Sequence, residues 1–169
     1  MPQPEAWLRG QIPGIPALLQ PVAHSLMQCR EEVTARVTGL TPDQIWARPF
    51  GAASIGFHAR HAAGSLDRLF TYARGERLSP AQQAALAAEE HPDFAPDVDR
   101  RLVAAFDQAV ERALEQLRTT SETTLLEARG VGRAQLPSTV LGLLFHAAEH
   151  TQRHMGQLTT SAKALSVIR

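Results

Sequence analysis

Five of the chain's seven histidines fall in two groups, His58 with His61 and His146 with His150 and His154. A step of four residues along a helix turns a side chain by only about 40° and moves it about 6 Å along the axis. His146, His150 and His154 therefore form one slowly drifting stripe, and Gln157 continues it after a step of three. Two imidazoles at i and i+4 can reach one ion from the same face, so the pair is a good chelating unit. A third nitrogen from another helix makes a three-histidine shell. Zinc, nickel, iron or manganese in such a shell keeps a position open for water or substrate. A single helical histidine is ordinarily a surface or core residue; three in register with two more on a second helix are harder to explain that way.

Four long segments with the helical period have to position these rings, and none alternates like a strand. The first runs from about Ile15 to Leu40, with Leu18, Leu19, Val22, Leu26, Cys29, Val33, Val37 and Leu40 stepping by three and four. Thr41 and Pro42 open a short turn carrying Ile45 and Trp46. The second helix begins near Ser54, runs along Ile55, Ala59, Ala62, Leu66, Leu69, Phe70 and Ala73, and stops at Gly75, a plausible C-terminal glycine. A connector over Glu76 to Pro96 holds a short helix at Pro80 to Glu90. The third helix spans about Asp97 to Leu117, and its inward set runs from Val98 through Phe106 to Leu117. Thr119 to Pro137 is irregular, either a loop or a short extended piece. Ser138 stands where an N-cap belongs, ahead of a last helix that reaches about Lys163 with its seam at Leu141, Leu144, Ala148, Thr151, Met155 and Leu158.

The expected fold is all-α: one domain over residues 1–169, a four-helix bundle with long crossover connections. Residues 1–10 are expected to be extended or poorly ordered. On a helix wheel the stripe of the last helix lies at the edge of its apolar seam, and His58, His61 and Ser65 flank the seam of the second. The wheel favours His58 over His61 for inward pointing, but spacing does not decide between them.

The 169 residues suffice for a real core, and 44% of them are hydrophobic. No apolar run approaches the roughly 18 residues a membrane span needs. The start lacks a basic stretch and an apolar run, so no signal peptide is expected there. The lone cysteine, Cys29, excludes an intrachain disulfide framework and fits a reducing cytoplasm. Formal net charge is zero, and Arg100 and Arg101 are the only basic cluster, so neither nucleic acid nor a membrane is expected as a partner.

Two blocks resemble the DinB/YfiT-like family of bacterial metal-binding four-helix bundles. One runs Leu40-Thr41-Pro42-Asp43-Gln44-Ile45-Trp46-Ala47-Arg48-Pro49, then Ser54-Ile55 and His61-Ala62, with the histidine six residues past the isoleucine. The other is His146-Ala147-Ala148-Glu149-His150-Thr151-Gln152-Arg153-His154-Met155-Gly156-Gln157, two histidines four apart closing in Gly-Gln. The resemblance implies that His61, His150 and His154 are the ligands of one divalent ion, zinc or nickel first. It leaves His58, His146 and Gln157 as neighbours, and it implies a homodimer. Some members are thiol-dependent transferases or isomerases, so it further implies activation of a small-molecule thiol for transfer to an electrophile. The rival expectation is a non-catalytic metal-binding module acting in stress response or in stabilising the fold.

Other residues have simpler expectations. Gly156 lets the last helix approach a neighbour closely or opens access to the site, and Gln157 either hydrogen-bonds a ligand ring or is a solvated surface residue. Glu149 and Arg153 form an i, i+4 ion pair. Asp67 orients a ligand or faces water, Cys29 is a core thiol, and Trp46 plugs one end of the bundle. Arg48 and Arg60 are surface arginines rather than an anion site.

Overall fold

The computed structural model describes residues 3–167. In chain order its helices are α1 (Gln20–Val37), α2 (Pro42–Trp46), α3 (Ile55–Ala73), α4 (Pro80–Ala87), α5 (Val98–Thr119) and α6 (Val140–Val167), with strands β1 (Ala128–Val131) and β2 (Leu136–Thr139) before the last helix. The four long helices make the bundle, and the fold is all-α apart from this one hairpin. α3 packs on α5 and α6, and α1 packs on the same two. Consecutive long helices α1 and α3 thus sit on one diagonal and α5 and α6 on the other. The links between them must cross the bundle, as the long connectors require.

Local chemistry sets the boundaries. Pro21 lies in the first turn of α1, where its missing N–H has no partner to lose. The expected start at Ile15 falls short because Ala17–Leu19 winds as a 3-10 turn first, which leaves Leu18 exposed. Thr41 and Gln44 form a reciprocal cap on α2, and Ser79 and Gln82 do the same for α4. The Ser54 hydroxyl accepts the Phe57 N–H and starts α3 where expected; Gly75, at φ +78°, ends it. The irregular segment resolves into the hairpin, in which Ser138 pairs with Arg129. Ser138 is therefore not the N-cap; the Thr139 hydroxyl accepts the Gly142 N–H instead.

The N-terminal segment is more ordered than expected. Ala6–Leu8 forms a 3-10 turn, the buried Ala6 donates its N–H to the Gln28 side chain at 3.0 Å, and Arg9 grips Glu31 on α1. Among the described residues no helix is long and apolar enough to cross a membrane.

One continuous core joins the four inner faces, with Leu26, Leu66, Phe106, Leu144, Met155 and Leu158 fully enclosed. Cys29 belongs to it, and burial pushes its thiol pKa far up, which makes it unreactive. Trp46 closes one end, donating its indole N–H to the Asp93 carbonyl at 2.7 Å while the Arg60 guanidinium lies over its ring. α2 reaches this depth because Gly56 has no side chain: a Cβ there would stand 2.8 Å from Ile45 and 2.9 Å from Trp46. Gly56→Ala should cost about 1–3 kcal/mol of stability in urea titrations through this overpacking. An unchanged midpoint would show that α2 can give way.

Candidate metal centre

The α3–α6 interface carries the histidines. His58 and His61 are one turn apart on α3, and His150 and His154 are one turn apart on α6. Their helices pack closely, so both imidazole-bearing edges meet half-buried at the margin of the core. His61, His150 and His154 each offer a ring nitrogen, and the three nitrogens lie within 4.8 Å of one another. His61 Nε2 is 3.0 Å from His150 Nε2, and the ring centre of His154 lies 4.5 Å from that of His61 and 4.6 Å from that of His150.

The nitrogens are committed unevenly. The Glu89 carboxylate takes His61 Nδ1 at 2.6 Å and leaves Nε2 facing the cluster. His58 Nδ1 lies 3.0 Å from His154 Nδ1, which leaves Nε2 of His154 free. His150 Nδ1 is buried with no hydrogen-bond partner. The nitrogen this ring turns to the cluster is Nε2, 3.0 Å from His61 Nε2, so the lone Nδ1 is not the atom a shared ion would take.

A divalent ion fits this donor set. Two imidazoles on one ion at 2.0–2.1 Å have nitrogens about 3.0–3.4 Å apart, close to the 3.0 Å seen between His61 and His150. Metal ligation needs neutral rings with free lone pairs. Burial, then repulsion from neighbouring rings, lowers the pKa of His58 and His150 and brings that of His154 down to about 4. These rings are neutral at pH 7. The sign of the linkage follows. Unfolded histidines protonate near 6.5, whereas the folded rings resist, so the stability they share is intact above about 6.5 and falls below it, the share of His154 being lost as pH falls through about 4. Chelator-treated protein should unfold at lower urea at pH 5 than at pH 7, and His154→Gln should flatten that slope. A rise in stability on acidification would contradict the burial of these rings.

Glu89 was not singled out from the sequence. It lies just past α4 in the connector, is 4% exposed, and accepts from Arg68 Nη1 at 2.6 Å as well as from His61. Burial raises its carboxyl pKa, but the hydrogen bonds from His61 and Arg68 outweigh that and hold it below the usual range. Gly64, one turn from His61, makes the room: a Cβ there would lie 2.7 Å from both the Arg68 guanidinium and the Glu89 carboxylate. A mid-helix glycine beside a candidate ligand is the one sequence signal that pointed here.

The remaining expectations divide. Glu149 and Arg153 pair as expected, at 2.6 Å, and Glu149 also accepts from the exposed His146 ring, which sits one turn outside the cluster. Arg60 is not a free surface arginine; it donates to the Ala88 and His91 carbonyls and ties the connector to α3. Asp67 touches no ligand: it accepts from the Gln82 amide at 2.7 Å and so holds α4. Gln157 is exposed, with no hydrogen bond to a ligand ring, because a step of three carries it past the cluster. Gly156 does not serve close helix packing, since a Cβ there would meet nothing within 4 Å.

No curated protein matches the chain. A model of the DinB superfamily matches residues 25–158, from α1 through most of α6 and well over half of the sequence. The crossed four-helix topology and the histidine pairs at the α3–α6 seam lie inside that span, and the chain belongs to the DinB superfamily.

Proposed function

We propose that this DinB-superfamily bundle binds one divalent ion, zinc or nickel first, through His61, His150 and His154, and activates a small-molecule thiol there for transfer to an electrophile. The observation that carries this reading is the convergence of three imidazoles from two helices, one of them held in place by a buried carboxylate. A bound divalent ion with an open position lowers the pKa of a thiol or water that reaches it. The chain's own contribution is to hold the rings. Glu89 fixes the tautomer and orientation of His61, Arg68 fixes Glu89, and His58 fixes His154. In the transfer the thiol gives its proton to solvent and the sulfur forms a bond to an electrophilic carbon. The bonding pair of the broken bond departs with the leaving group, which takes up a proton. A cytoplasmic setting and a homodimer belong to the same proposal.

The test is a transfer screen with several low-molecular-weight thiols and a panel of electrophiles, run on metal-loaded and chelator-stripped protein. The reading expects conjugate above the uncatalysed rate only from loaded protein. No conjugate from any pairing, with metal bound, favours the second reading, a non-catalytic metal-binding module of stress response or fold stabilisation. One observation supports that rival: His58 lies beside His154 and offers a fourth imidazole close to the shell. A closed four-nitrogen shell is insensitive to added thiol, whereas an open one changes its coordination.

A further inference from the structure

Two separate grooves reach the histidine cluster, and Phe57 is the wall between them. Its ring stacks on His61, with centroids 5.3 Å apart and planes 17° apart, and meets His58 edge-on. On one side a groove of about 600 Å³ runs between α3 and α6 past His58 and His154, bordered by Arg153, Gly156, Gln157 and Thr160. On the other a groove of about 490 Å³ reaches His61 past the connector, bordered by Leu86, Glu89, Glu90 and His91. Both volumes suit a small molecule.

The two linings differ in charge. The groove beside His154 is lined by a guanidinium, an amide and two hydroxyls, those of Thr160 and Ser161, and by no carboxylate. Arg153 meets Glu149 through Nη2 alone, so its other N–H groups remain available. Gln157 is exposed and lines the same groove. Gly156 leaves open space where any other residue would project a side chain. The groove beside His61 is lined by no arginine or lysine; its Glu89 carboxylate is paired with Arg68, so the exposed Glu90 carboxylate supplies its negative charge. Opposite linings sort reactants by charge.

Building on the thiol-transfer reading, we propose that the groove bordered by Arg153, Gly156 and Gln157 holds the anionic, amide-bearing tail of the thiol, while the groove bordered by Leu86 and Glu90 admits an uncharged or cationic second reactant. Both reactants then bind together, one on each side of Phe57, with their reacting ends at the cluster. Gly156 is the residue that keeps the thiol groove open.

Glutathione serves as the anionic, amide-bearing probe and 2-mercaptoethanol as the tailless one, each titrated into cobalt-loaded protein and followed by the visible cobalt bands. Glutathione should bind about tenfold tighter or better. Gly156→Leu should keep its cobalt and its melting temperature, since leucine favours helix and its Cβ meets nothing within 4 Å, yet lose that advantage while 2-mercaptoethanol binds as before. Ala87→Phe, at the rim of the other groove, should leave glutathione untouched. It should abolish the binding of benzylamine seen by ligand-observed NMR, and benzoate should not bind in either protein. S-methylglutathione, which cannot form a thiolate, should still bind metal-free protein by calorimetry, and Gly156→Leu should remove that too. If cobalt is never taken up, the thiol-transfer reading fails while this last arm still decides the groove. Glutathione binding unchanged by Gly156→Leu, or lost equally in both variants, overturns the assignment.

Discussion

His150→Ala and His154→Ala each abolish divalent-metal uptake measured by calorimetry, and His61→Ala does the same, whereas His146→Ala weakens it far less. The first three remove one of the three nitrogens that lie within 4.8 Å of one another. A two-histidine remnant has too few donors for a stable site. His146 points to Glu149 from an exposed position one turn outside the cluster and acts only by its neighbourhood. None of the four substitutions opens a large hole in the core, so circular dichroism should stay helical and loss of uptake will not reflect unfolding. Equal losses at His146 and His150 would mean that the ligand set is drawn one turn too far along α6.

Glu89→Ala has the second large effect, and it appears in two separate measurements. Metal affinity should fall about 10- to 100-fold, because His61 loses the acceptor that fixes its tautomer and ring angle. Stability should fall by about 3–5 kcal/mol, because Arg68 is left charged and unpaired in a nearly closed space. Arg68→Met separates the two terms: it removes the second charge as well, and in combination with Glu89→Ala it should restore much of the stability while leaving affinity low. If the double variant recovers metal affinity too, Glu89 supports the fold alone and does not orient the ligand.

The bundle was legible in the sequence because its inward residues repeat at the helical period without interruption. The set from Val98 to Leu117 is buried as read, and Ser54 and Gly75 bound α3 through chemistry that depends on near neighbours alone. The boundaries that slipped depend on distant partners. Ser138 has the chemistry of a cap, but pairing with Arg129 draws it into a strand and passes the role to Thr139. Residues 1–10 read as loose because nothing in them is periodic; residues 1 and 2 lie outside the described residues, and residues 3–10 take their order from Gln28 and Glu31 on α1.

The site was legible where register determines it. Spacing placed His150 and His154 on one face, and the family resemblance chose His61 where the wheel favoured His58. The structure shows why a wheel could not choose: both rings face α6, His61 toward His150 and His58 toward His154. Glu89 was not legible, because a connector of no fixed period carries it and its two partners lie on α3, more than twenty residues earlier. Gln157 takes the solvated alternative rather than the bond to a ligand ring, and the open space beside Gly156 fits access rather than close packing, for the same kind of reason. Their neighbours in sequence are ligands, but their neighbours in space are the walls of a groove.

The central claim is that α3 and α6 share one cation, and the most direct test is elemental analysis of untagged protein purified without chelators. The expected result is about one divalent ion per chain, removed by chelator and regained in a titration that His154→Ala does not show. Protein that carries no metal and takes up none from zinc, nickel, iron or manganese would contradict it.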